Sequence, residues 1–169
     1  SAGQREAVQL RYNDTMVYTG KGVLKAVAKL NGRIRKEITS KPCEHQRTID
    51  EQLLELDGTP NKASLGANAI LAVSMAVARA RSVSEKRSLY LSLASQYEQP
   101  SPTLLPVPMA VLIEAGVHSD AGLAFQEFMV MPTGFKRFSD ALRAGVVVFG
   151  TLTMLLAAKK HVVAVGDLG

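Results

Sequence analysis

Apolar positions recur at helical spacing through the first half of the chain and give way to short apolar runs in the second. Across residues 22–38, Val23, Val27, Leu30, Ile34 and Ile38 fall three or four apart, which predicts one face of an amphipathic helix. Lys25, Lys29, Arg33 and Lys36 take its other, solvated faces. A shorter helix is predicted over 47–56 with Ile49, Leu53 and Leu56 inward, stopped by Asp57-Gly58 and kept from resuming by Pro60. Residues 63–81 are Ala-rich and apolar nearly all round, which predicts a helix buried by its neighbours. Ser64, Asn68, Ser74 and Arg79 interrupt that segment too often for a membrane span. A fourth helix, over 86–96, carries Leu89 and Leu93, with Tyr97 at the next helical step.

Gln99-Pro100-Ser101-Pro102 has the composition of a linker and divides a domain of residues 1–98 from one of residues 103–169. Beyond it the period changes. Residues 104–113 read as a buried strand whose entry is bulged or at an edge because of Pro106 and Pro108. Residues 125–131 read as a second strand and 138–160 as a long helix opened by Ser139 or Asp140. Residues 162–165 read as a third strand. Strands followed by a helix and a further strand open an α/β sheet or barrel. The chain starts at Ser1 without Met or a leader and stops just after that third strand, so the expectation is a piece of something longer.

Composition narrows the class. In 169 residues, 47% are hydrophobic and 21% charged, ordinary for a globular protein and unlike a disordered tail or a disulfide-stapled miniprotein. The net charge of +5 is scattered among acids with no run of like sign, and no aromatic residues interleave the basic helix face, so no nucleic-acid partner is expected. The lone Cys43 has no intramolecular partner, which fits a reducing, cytoplasmic setting.

Generic chemistry is sparse. There is no phosphate-binding Gly-rich loop, no H-E-x-x-H and no paired C-x-x-C. Cys43-Glu44-His45 offers one thiol and one imidazole in a polar loop, which reads as a bystander. Glu114, His118 and Asp120 cluster after a strand, where carboxylates and imidazole either ligate a divalent ion or move protons, or form a local ion pair. Glu127 lies within an apolar strand and by alternation shares a face with Phe125 and Met129, where an ionised carboxylate is costly unless paired.

At these residues a family resemblance emerges. GKGVL from Gly20, ELDGTPNK from Glu55, LGANAILAVSMAVARA from Leu65, LPVPM from Leu105, FQEFMVMP from Phe125 and AVGD from Ala164 resemble enolase, in order and with compatible spacings. The resemblance implies an α+β then α/β chain: an enolase-like N-terminal module, mostly helical here with its first strands missing, and the opening β-β-α and next strand of an enolase-type TIM-like barrel. It implies the magnesium-dependent dehydration of 2-phosphoglycerate to phosphoenolpyruvate, and a dimer or association through exposed barrel strands. The stretch from Ser1 to Ala7 resembles the end of the family's mobile catalytic loop, with Ser1 as the ligand of a second magnesium and Ala2 replacing the usual Thr. His118 resembles the His of the second active-site loop, near substrate phosphate. Gln126 and Glu127 resemble the buried Gln-Glu pair of the active site, and Asp167 the Asp of a G-D-E-G-G segment.

Departures weigh against activity. Leu168 stands where the family has the carboxylate that assists loss of the hydroxyl, and the N-G-G stretch has become Glu114-Ala115-Gly116. The principal magnesium ligands and the Lys base fall beyond the position matching Gly169, so the chain alone is expected to be inactive. It is then either a partial record of a working enzyme or a shortened, degenerate relative, and Leu168 with the altered loop favours the second. The alternative is a non-catalytic interaction protein. From Ala144 to Ala158 the chain has 15 residues without a charge, flanked by Arg143 and Lys159-Lys160, suited to a partner helix or a membrane surface. That length is short of the ~20 residues of a bilayer span, so no transmembrane segment is expected.

Overall fold

The computed structural model describes residues 3, 5–12, 14–97, 102–116 and 122–164. They belong to two compact units, residues 2–102 and 103–169.

In the first unit, the predicted helix over 22–38 forms as α1 (Leu24–Lys29), a π-helical stretch (Leu30–Ile34) and α2 (Arg35–Ile38), continuous in the chain. The wider π turn changes the buried face. Ala26 and Ile34 are buried and Leu30 and Ile38 half-buried, whereas Val23 and Val27, expected inward, are exposed. Residues four apart drift around an ordinary helix of ~3.6 residues per turn, and the π turn absorbs part of that drift. The face built on Ala26, Leu30, Ile34 and Ile38 thereby stays toward α4 (Ala67–Ser84).

α3 (Gln46–Asp57) buries Ile49 and Leu53 as expected, and Gly58 closes it in the left-handed region at φ 71°. α4 lies against α1, α3 and α5 (Leu89–Gln96) and is the centre of this unit. It begins at Ala67 rather than residue 63, because Gly66 takes φ 92° and residues 63–65 form a turn. Its burial is one-sided. Ala69, Ile70 and Val73 join the core, but Leu71, Met75 and Val83 are exposed. α5 starts later than expected because Lys86, at φ 53°, ends the preceding turn. Tyr97 falls after α5 and is exposed rather than continuing the Leu89–Leu93 face.

In the second unit, β1 (Ala110–Glu114) and β2 (Glu127–Val130) form a two-stranded antiparallel sheet, and α6 (Phe138–Ala158) packs against β1. The expected strands shorten. Residues 104–109 have no strand pairing among the described residues and are largely exposed, since Pro106 and Pro108 have no amide hydrogen to donate to a ladder. α6 starts at Phe138 on Arg137, so neither Ser139 nor Asp140 caps it, and Lys159 and Lys160 lie in the turn after it. Residues 162–164 have no strand pairing among the described residues, and Val165 lies outside them.

Candidate functional site

The two-stranded sheet carries the described candidate residues. Its register runs Ala110↔Val130, Val111↔Met129, Ile113↔Phe128 and Glu114↔Glu127, with an irregularity between Val111 and Ile113. Had the pairing continued evenly from Val111↔Met129, Glu114 would face Gln126. One extra residue on β1 shifts the register and sets Glu114 opposite Glu127. Residues directly opposite in an antiparallel pair point to the same side of the sheet, so two carboxylates share one end of it.

Their surroundings differ. Glu114 is buried and Glu127 half-buried. The face expected for Glu127 is more open than the alternation implied, with Phe125 and Met129 exposed. Strand geometry begins only at Glu127, so alternation does not reach back to Phe125. Its ring instead meets Phe128 edge-on, with centroids 5.8 Å apart. Gln126 is exposed, and its backbone carbonyl accepts a 2.7 Å hydrogen bond from the Ala115 amide, extending the ladder one step past the Glu pair.

Ala115, the residue that takes a Gly position of the resembled family, is fully buried at 0% exposure. Its methyl is therefore inside the structure rather than on the loop surface. Gly116 follows at φ 67°, a conformation other residues reach only with strain, and turns the chain out of the strand.

The remaining candidates divide. Ser1, His118, Asp120, Asp167 and Leu168 lie outside the described residues. Cys43 is half-buried, and His45 precedes α3 without capping it through its side chain. Among the described residues no group of three or more His, Cys, Asp or Glu side chains is placed to hold a metal ion. Sequence reasoning set Glu114 in a loop cluster and missed its pairing with Glu127, because nothing in the local pattern announces a bulge at residue 112.

Comparison with known families covers both units. The model of the enolase N-terminal domain matches residues 1–93, and that of the enolase C-terminal TIM barrel domain matches residues 102–169. The helical unit thus corresponds to the N-terminal module, and the β1–β2–α6 unit to the opening of the barrel. Two domain models matched in their family order, the first over more than half of the residues, place this chain in the enolase family.

Proposed function

We propose that this is an enolase-like protein whose family reaction is the dehydration of 2-phosphoglycerate to phosphoenolpyruvate in glycolysis, and that the polypeptide of residues 1–169 does not itself turn substrate over. The ordered pair of domain matches carries the first part. In this reading Gln126 and Glu127 face substrate at the start of β2. His118 approaches the substrate phosphate, and Ser1 contributes to a second magnesium. The protein works in the cytoplasm and self-associates, through a family-type dimer or the open edges of the β1–β2 sheet.

The second part rests on chemistry that these residues lack. Dehydration needs a base for the α-proton and an acid for the departing hydroxyl. Leu168 stands at the position of the acid, and a hydrocarbon side chain neither donates nor accepts a proton. The Lys base of the family has no counterpart matched within residues 1–169. The described carboxylates at the site, Glu114 and Glu127, form only a pair. They do not by themselves make a magnesium site, and no step is derived through the ion.

Two measurements test the reading. Incubation of the purified chain with 2-phosphoglycerate and magnesium should give no phosphoenolpyruvate above a protein-free control. Product that scales with protein and disappears in Glu127→Gln would overturn the inactivity. Separately, 2-phosphoglycerate should raise the melting temperature of the wild type and not of Glu127→Gln; equal or absent shifts in both would remove the substrate assignment.

A further inference from the structure

One glutamine joins three helices of the first unit. Gln46 is the first residue of α3 and is only 8% exposed. Its Nε2 donates to Asp50 Oδ1, to the Ser74 carbonyl and to Ser74 Oγ, each at 3.0 Å, which ties α3 to the middle of α4. Its backbone amide is among the four that a helix start leaves without an internal partner. That amide donates to Gln96 Oε1 at 3.3 Å. His45 makes no side-chain cap, so Gln96, the last residue of α5, serves the N-terminus of α3 from another helix.

Each side-chain amide keeps one unmatched atom. Among the described residues, Gln46 Oε1 and Gln96 Nε2 are enclosed and have no hydrogen-bond partner. Turning either amide over does not cure this. The Asp50 carboxylate and the Ser74 carbonyl only accept, so Gln46 has to present its nitrogen to them and its oxygen elsewhere. The Gln46 backbone amide only donates, so Gln96 has to present its oxygen to it and its nitrogen elsewhere. A buried acceptor and a buried donor left unmet both lower stability, and native interiors rarely keep them so. Residues of the same compact unit enclose both atoms, so chain outside residues 1–169 does not reach either of them in this packing.

The two atoms together specify what they bind. A cation would suit Gln46 Oε1 but would face the N–H groups of Gln96. An anion would suit Gln96 Nε2 but would face a carbonyl oxygen. A neutral group that both donates and accepts meets both demands, and water is the smallest that does. We propose that one internal water molecule links the two side chains, accepting from Gln96 Nε2 and donating to Gln46 Oε1. It completes a polar joint between the first turn of α3, the middle of α4 and the last turn of α5. Ile49 and Val73, close in sequence to Gln46 and Ser74, belong to the aliphatic core, which offers no polar group in its place. The proposal is independent of the enolase reading, which asks nothing of this joint.

Magnetic resonance of the isotope-labelled full chain tests it. The side-chain amide protons of Gln96 should give a cross-peak at the water frequency with opposite signs in the laboratory and rotating frames. That sign pattern marks a water that tumbles with the protein, whereas proton exchange gives equal signs. Gln46→Met removes the acceptor at nearly constant length and should lose the cross-peak, while the Asn68 side-chain amide keeps its wild-type signals and reports an intact fold. A crystal structure of the wild type gives a second reading that needs no variant: one ordered solvent peak within roughly 3.2 Å of both atoms. Absence of the cross-peak from the wild type overturns the proposal, as does a cross-peak that survives in a folded Gln46→Met. So does density that shows the two side chains bonded directly to each other, or no solvent between them.

Discussion

Asn68 holds both polar groups of Leu10: the Leu10 amide donates to Asn68 Oδ1 at 3.1 Å, and Asn68 Nδ2 donates to the Leu10 carbonyl at 3.1 Å. One side-chain amide thus stands in for a neighbouring strand, 58 residues away in sequence. The segment is held on either side as well, by Val8 bonded to Asn61 and to Ala67 at 2.8 Å each, and by Tyr12 bonded to Gly22. An Asn that reads as a polar interruption of an apolar helix is therefore the point where the segment around Leu10 is attached to α4.

Asn68→Leu removes both bonds and leaves two part-buried backbone groups unmatched. The expected loss is about 1–3 kcal/mol of stability. Urea denaturation should show it as a lower midpoint, and hydrogen exchange at the Leu10 amide should accelerate more than exchange within α3.

Gly66→Ala should be damaging at the same junction. A Cβ there would lie 2.6 Å from Leu10 Cβ and 2.7 Å from Asn68 Oδ1, and φ 92° is a conformation L residues rarely adopt. The conformational part alone is about 1–2 kcal/mol, and the contact with Leu10 adds to it. A melting temperature equal to wild type would contradict the structure.

Stability should fall in acid because of Asp57. Burial pushes its carboxyl up, but hydrogen bonds from Thr59, from the Leu65 amide at 2.7 Å and from Ser64 outweigh it, and the pKa ends below its ordinary value. Glu85 is also lowered, chiefly by its hydrogen bond from Arg81 at 2.6 Å and then by that from Ser92 at 2.8 Å. A lowered native pKa contributes stability in full above the unfolded value of about 4 and loses it as pH falls through the native value. Asp57→Asn should flatten the decline of denaturation midpoint between about pH 5 and pH 3. A variant as acid-sensitive as wild type would show that another group governs.

At the sheet, Glu127→Gln keeps the size of a half-buried side chain opposite Glu114 and should change stability by no more than about 0.5 kcal/mol. On the proposed reading the same substitution removes the carboxylate that faces substrate. Unchanged stability with loss of the ligand-induced melting shift is the expected combination.

Leu168→Glu should not generate phosphoenolpyruvate in the polypeptide of residues 1–169. On the proposed reading the acid would be restored, but no base is assigned within those residues. A coupled assay of product formation checks this, and turnover would show that another group supplies the base.

The helices could be read from sequence because each buries a single stripe, and a 3.6-residue period records that stripe in residue order. Ile49 and Leu53 of α3 illustrate it, as does Gly58 as its terminator. The family was legible for another reason: motifs such as LGANAIL and FQEFMVMP are chemically specific and keep their order along the chain. Tertiary contact decided the rest. The π turn at Leu30–Ile34 exchanged Val27 for Ala26 on the buried face, the bulge at residue 112 set Glu114 against Glu127, and one-sided packing of α4 left Leu71 and Met75 in solvent. Local patterning encodes which residues prefer burial, whereas the partner that covers them, and the register in which it does so, depends on chain segments distant in sequence.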